Sequence, residues 1–410
     1  MPNVESLEQA PQSQGRSGAP LTVLFVTVFV DLLGFGIVIP FLPMYAERLQ
    51  VGAAGIGLIL AIYSLMQFLC APILGRISDH VGRRPVIMIG LLGSSFSYLI
   101  YGFANSFAWL LVSRAVHGAC AATVSTAQAY VADTTTESKR AHGMGMIGAA
   151  FGLGFVMGPA LGGILGHSSL RTPVFFASAL TFANLIFAAM RLPESHWPDH
   201  AGSLKLTSLV EPVLNLPSQL VRHRLARIFL VAFLLTFAMA AFEATFALMV
   251  PAAYGYGASG VGLLLAFAGL IQAFVQGYML GKIVPHTGEL KLIRAGAIAF
   301  AIGMAPLASL GSHSLLFVML AMLSAGYGFS SPSVASLISR RTERHMQGEV
   351  LGVNQSALSL ARICGPIAGG FVYEILGPAA AYAGGGLVAL IALALTFAIE
   401  PDAPSAVERP

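Results

Sequence analysis

Four charged residues stand inside long apolar stretches of this chain: Asp31, Arg114, Glu243 and Arg362. If the first stretch enters a bilayer near Pro20, Asp31 lies about eleven residues in, or ~16 Å. That is close to the middle of a ~30 Å hydrocarbon layer. A charged carboxylate is expensive there, so intramembrane acids mark proton or ion paths, or are locked to a basic neighbour. Glu243, in Phe242-Glu243-Ala244-Thr245, falls about fifteen residues or ~22 Å into its stretch, in the outer half. It suits either a second proton or cation site or a hydrated vestibule.

Arg114 opens a helical stripe with His117, Ala121, Ser125 and Gln128, at steps of three and four residues. His117 is either titratable near neutral pH or a neutral, hydrogen-bonded core histidine. Arg362 shares a stripe with Gln355 and Ser359. A guanidinium at that depth must face the protein interior. There it meets Asp31, Glu243 or an anionic substrate, or forms a structural pair. Gln67 (on one face with Tyr63 and Cys70), Gln272 (with Gln276) and Asn354 add amides to three stretches. Such amides either dot a substrate cavity with polar groups or tie helices together.

The composition says what must position these groups. Of 410 residues (42.8 kDa), 56% are hydrophobic and only 10% charged, with a mean hydropathy of +0.78. Soluble domains carry about 25% charged residues, so a water-soluble enzyme is excluded. Cys70, Cys120 and Cys364 lie in apolar runs, and their spacing matches no disulfide framework or metal site. No phosphate-binding GxxxxGK[ST] loop, nucleophile elbow or HExxH is present. The expectation is a non-enzyme without metal or cofactor, using at most the proton as coupling ion.

Apolar runs bounded by Gly, Pro and charge predict twelve membrane spans: 21–45, 56–77, 86–104, 108–131, 144–166, 173–190, 228–252, 260–283, 293–310, 314–338, 351–373 and 379–399. The N-terminal residues 1–20 lack a basic n-region, so the first run reads as a retained span rather than a signal peptide. The expected organisation is a tail 1–20, a six-helix bundle 21–191, a linker 192–227, a second bundle 228–400 and a tail 401–410. With both termini cytoplasmic, 18 Lys and Arg fall on the cytoplasmic side and only Arg48 and Arg171 outside. That asymmetry follows the positive-inside rule. The net charge of +4 therefore reports topology, not a nucleic-acid partner.

The halves repeat. GRISDHVGRR from Gly75 returns as GKIVPHTGEL from Gly281, 206 residues on. GPALGG from Gly158 returns as GPIAGG from Gly365 at 207, and GIGLILA from Gly55 as GVGLLLA from Gly260 at 205. Parallel six-helix repeats place a binding site between them near the midplane. The fold class expected is all-α, with twelve transmembrane helices in two pseudo-symmetric bundles.

Several motifs then resemble one family. The loop Gly75-Arg-Ile-Ser-Asp79-His-Val-Gly82-Arg83-Arg84-Pro85, the glycine-rich fifth span (Gly148, Gly152, Gly158, Pro159, Gly162, Gly163), Asp31-Leu-Leu-Gly34-Phe-Gly36 with Pro40 and Pro43, and Ala129-Tyr130-Val131-Ala132-Asp133 resemble the drug–proton antiporters of the major facilitator superfamily, close to the tetracycline-efflux type. The resemblance implies export of small amphipathic compounds, as in antibiotic resistance, in exchange for protons, by a monomer in a bacterial inner membrane. The resemblance gives Arg114 a part in proton transfer or in holding the charge of Asp31; with the residue chemistry above, Asp31, Arg114 and Glu243 are assigned to proton coupling, and Gln67, His117, Gln272, Asn354, Gln355 and Arg362 to the substrate cavity. Asp79, Arg83, Arg84, Asp133 and Arg140 would form a cytoplasmic latch between the halves, helped by Gly75 and Gly82. The span-five glycines would allow close packing. His117 departs from the glutamine common in the family, and Pro285 and Glu289 replace Asp79 and Arg83 in the second copy. Symport or uniport of a sugar, peptide or organic anion is the alternative.

Overall fold

A computed structural model describes residues 19–135, 137–167, 169–195, 225–309, 311–342 and 347–400, the side chains of 19, 20, 137–142 and 347–349 aside. Both tails beyond these limits and linker residues 196–224 lie outside the described residues. Among those described there is no strand. Span one comprises Ala19–Val38, a tight turn Ile39–Phe41 and Leu42–Arg48; spans two and three are Ala53–Val81 and Arg83–Phe103; span four is Phe107–Cys120 with Thr123–Thr134; spans five and six are Glu137–Gly166 and Thr172–Arg191. Span seven is Ala226–Tyr254. Span eight is Ala258–Phe274 continued through Val275–Met279 and Leu280–Thr287, and spans nine to twelve are Glu289–Met304, His313–Arg340, Gln347–Leu376 and Pro378–Phe397.

Ten of these are long and apolar enough to cross a bilayer. Spans nine and eleven complete the twelve through packing, nine against ten and twelve, eleven against two and seven. Span nine is shifted from its expected 293–310: it starts at Glu289 and stops at Met304. Pro306 has no N–H to continue the ladder, and residues 305–309 form turns instead.

The repeat is visible in the packing. Spans one, five and six pack as seven, eleven and twelve do, and three with four as nine with ten. Gly82 (φ +100°) and Gly288 (φ +76°), 206 residues apart, turn the chain between spans two and three and between eight and nine. A residue with a side chain is strained in that conformation.

Between the halves, span two packs on eleven and span five on eight. These contacts gather at the end opposite the termini. There the Ala54 N–H donates to Glu374 Oε2 at 2.8 Å and the Ser259 hydroxyl to the Gly163 carbonyl at 2.8 Å. The backbones are so close that a methyl group on Gly57 would collide with the Pro366 carbonyl, and one on Gly262 would lie 2.5 Å from the Pro159 carbonyl. Nearer the terminus-bearing end, a methyl on Gly75, Gly148, Gly277 or Gly281 would meet nothing within 4 Å. The halves are closed together at one end and apart at the other.

Three spans are irregular where the sequence reading had continuous helices. Span one tightens at Ile39–Phe41, span four breaks at Ala121–Ala122, and span eight widens at Val275–Met279. Irregular backbone at membrane depth persists only where protein or a water-filled cavity satisfies it. At the span-four break, Gln67 Nε2 donates to the Ala121 carbonyl at 3.2 Å.

Candidate functional site

Asp31 is half-buried on span one, facing the break in span four. The Thr123 hydroxyl, on the first residue of the resumed helix, is the polar group turned toward it, and Tyr63 and Tyr98 lie within its electrostatic reach. The break brings Thr123 here, and Gly90 leaves it room: a methyl there would lie 2.8 Å from the Thr123 oxygen.

Arg114 does not pair with Asp31. Its guanidinium, in a side chain only 2% exposed, has Nη1 2.9 Å from His117 Nδ1 and lies 4.3 Å from the centre of the Tyr63 ring and 5.8 Å from that of Phe35. A guanidinium only donates, so His117 Nδ1 accepts and the ring is neutral, with its proton on Nε2 facing the Tyr98 hydroxyl at 3.5 Å. Of the two readings left open for His117, this geometry is the neutral core histidine. Arg114 Nε and Nη2 are buried without a hydrogen-bond partner among the described residues. The expected tuning of Asp31 by Arg114 is thus absent as a contact. The aromatic faces of Tyr63 and Phe35 take the place of a carboxylate as cation partners.

Glu243 and Arg362 are both solvent-accessible. Arg362 acts electrostatically on Glu243 of its own half and on Tyr63 of the other. Tyr63 therefore links Asp31, Arg114 and Arg362, although the sequence reading used it only as a companion of Gln67. Gln67 is an interhelical tie through Ala121. Asn354 is buried with Oδ1 unpartnered among the described residues, Gln272 is half-buried beside the wide turn of span eight, and Gln355 is exposed.

At the terminus-bearing end, Arg83 joins three groups. Its Nε donates to Asp133 Oδ2 at 2.8 Å, and its Nη1 to the Ser78 hydroxyl at 2.7 Å and to Asp79. Asp133 and Asp79 together balance the Arg83 charge, as ion pairs on two of its nitrogens. The cluster is internal to the first half. The cross-half latch expected from the resemblance is not made in this arrangement, because the halves are apart at this end. The Arg140 side chain lies outside the described residues.

Glu194 was missed in the sequence, where it falls in the linker. Its Oε1 accepts from the Arg83 N–H at 2.8 Å and its Oε2 from the Arg84 N–H at 3.2 Å, capping the N-terminus of span three. An acid over a helix N-terminus is favourable, but a partner 111 residues away leaves no local signal.

Only part of the glycine pattern of span five is used for close packing, contrary to the expectation from the sequence. Gly158 and Gly162 do let it pack on span one, against Gly36 and against Ile37 and Phe41, and Gly163 meets Ser259 and Gly262 of span eight, with Pro159 buried between. Gly148 and Gly152 are not packing positions here: a methyl on Gly148 would meet nothing within 4 Å, and one on Gly152 only Ala273 at 3.9 Å. Both lie toward the end where the halves separate.

Comparison with known proteins agrees with this architecture. A sequence model of the Major Facilitator Superfamily matches residues 24–363, and a second match covers 254–410. The chain is 33% identical over 356 residues to the class E tetracycline resistance protein of Escherichia coli, covering 85% of this chain and 86% of that one. It is 29% identical to multidrug resistance protein 1 of Bacillus subtilis (strain 168), over 87% of this chain and 90% of that protein. The crystal structure of the human organic anion transporter MFSD10 (TETRAN) superposes with a TM-score of 0.70 at 28% identity, covering 93% of this chain and 100% of the other. With twelve spans in two repeated halves and these relatives, the chain belongs to the Major Facilitator Superfamily, as a multi-pass membrane transporter related to tetracycline and multidrug efflux proteins.

Proposed function

We propose that this chain exports small amphipathic compounds in exchange for protons, by alternating access. Asp31 is the proton carrier, and Glu243 with Arg362 sets the charge preference of the cavity. Protons are the only coupling species and no cofactor takes part. The protein works as a monomer in a bacterial inner membrane with both termini in the cytoplasm, where 18 of its 22 basic residues then lie. In that orientation the present arrangement is the cytoplasm-facing one. The bundles 21–191 and 228–400 rock about the midplane, and the Asp79–Arg83–Asp133 cluster, with Arg84 and Arg140 beside it, engages the other half when the cytoplasmic side closes.

The observation that carries this reading is the setting of Asp31: a carboxyl at mid-membrane depth, without a basic ion-pair partner among the described residues, between two halves joined at one end only. An acid locked for structure would have a cation against it. One test is uptake of tetracycline and of lipophilic cations into inverted vesicles, with and without an imposed pH gradient. Gradient-dependent uptake is expected, and uptake indifferent to the gradient would remove the proton from the cycle.

A second reading has its own support. Arg114 keeps two buried donors without a partner among the described residues, and Arg362 is accessible, which suits an organic anion. The human structural relative is an organic anion transporter. Inhibition of tetracycline uptake by organic anions but not by lipophilic cations would favour it.

A further inference from the structure

The only two basic residues that the sequence puts on the side opposite the termini, Arg48 and Arg171, line the same cleft. It has a volume of about 260 Å³ and is bounded by Tyr45, Arg48 and Leu49 at the end of span one and by Ser169, Leu170 and Arg171 before span six. Basic residues on that side work against the charge asymmetry that orients such a chain. Two exposed arginines lining one space also repel each other. Among the described residues neither has a carboxylate within 4.0 Å.

The cleft is built. Tyr45 is 5% exposed and its hydroxyl donates to the Ala104 carbonyl at 2.6 Å. The same oxygen accepts from Arg171 Nε at 3.1 Å, with the guanidinium carbon 5.8 Å from the ring centre. Arg171 is therefore held by its inner nitrogen, leaving the two terminal nitrogens as a fork. A terminal guanidinium fork matches two oxygens of a phosphate. The cleft joins the last turn of span one to the start of span six, and a helix that has crossed the hydrocarbon layer ends among headgroups.

We propose that Arg48 and Arg171 form a phosphate-binding site on this face of the first half, taking a phospholipid headgroup or free phosphate. Bound phosphate neutralises both guanidiniums and ties the end of span one, the helix that carries Asp31, to the connection between spans five and six. The site does not depend on the transport reading.

Native mass spectrometry of the full chain in detergent tests it, with phosphatidylglycerol, diacylglycerol or inorganic phosphate added. Phosphatidylglycerol adducts are expected on the wild type, and diacylglycerol adducts, lacking phosphate, are not. The Arg48→Gln/Arg171→Gln variant should lose adduct occupancy about tenfold, and Arg191→Gln, at the other end of span six, should lose none. Arg48→Gln alone changes an exposed side chain and should still lower occupancy, which guards against misfolding of the double variant. Competition by inorganic phosphate, lost in the same variants, would support the site with free phosphate as its ligand; no competition would assign it to the lipid. Equal phosphatidylglycerol and phosphate binding by wild type and both glutamine variants would overturn it.

Discussion

Glu289 and Arg340 are the second half's counterpart of Arg83 and Asp133, with the signs exchanged. Glu289 follows Arg83 by 206 residues and Arg340 follows Asp133 by 207, the spacing of the internal repeat. Arg340 Nη1 donates to both Glu289 oxygens, at 2.9 and 2.7 Å, and the Ser336 hydroxyl adds a bond at 3.0 Å. In each half an ion pair ties the start of the third helix to the end of the fourth, and only its polarity differs. What the sequence presents as a lost motif is a kept interaction, its partner 51 residues downstream.

Arg340→Ala strands the buried Glu289 carboxylate, and a cost of about 1–3 kcal/mol in unfolding free energy is expected. Glu289→Arg combined with Arg340→Asp, which restores the first half's polarity, should recover part of it. A double-mutant cycle on detergent-solubilised protein measures the coupling. Strict additivity would mean that the pair contributes nothing.

Asp79 and Asp133 both hold Arg83, but they differ in exposure. The Asp79 side chain is 53% exposed and that of Asp133 24%. Asp133→Asn should lower stability by about 1 kcal/mol. Asp79→Asn should change stability little and reduce transport about tenfold, since its carboxylate, paired with Arg83 yet half in the open, is the part that can reach the other half when this end closes. Unfolding and vesicle uptake on both variants separate the two roles.

The close approach at the opposite end gives a third contrast. Gly262→Val would push span eight off Pro159 and Gly163 and should favour the arrangement open at that end. Gly148→Ala meets nothing within 4 Å and should leave the balance unchanged. With Cys70, Cys120 and Cys364 replaced by serine, labelling of a cysteine at Ser259, which lies in the closed contact, should quicken about tenfold in the valine variant and not in the alanine one.

The twelve spans were legible because each needs a run of about 20 apolar residues, and the repeat because Gly75, Gly158 and Gly55 each open a matching string. The irregular turns were not. The break at Ala121–Ala122 contains no Pro or Gly, and the carbonyl it frees is satisfied by Gln67, 54 residues earlier. Asp31 stands out in sequence because an acid in an apolar run is rare. Its surroundings do not: Tyr63 and Thr123 converge on it only through the tertiary packing of spans two and four. The pairing of Arg114 with His117 was present as a three-residue helical step, but a sequence alone gives no reason to prefer it to a distant acid.

The central claim is that Asp31 carries the proton. Proteoliposomes with an internal pH dye and an outward or inward pH gradient measure it directly when tetracycline or a lipophilic cation is added to wild type, Asp31→Asn and Glu243→Gln. Substrate-triggered proton flux in the wild type, abolished in Asp31→Asn while substrate still binds, is the predicted result. Flux that survives in Asp31→Asn and disappears in Glu243→Gln would contradict the claim and move the proton to span seven.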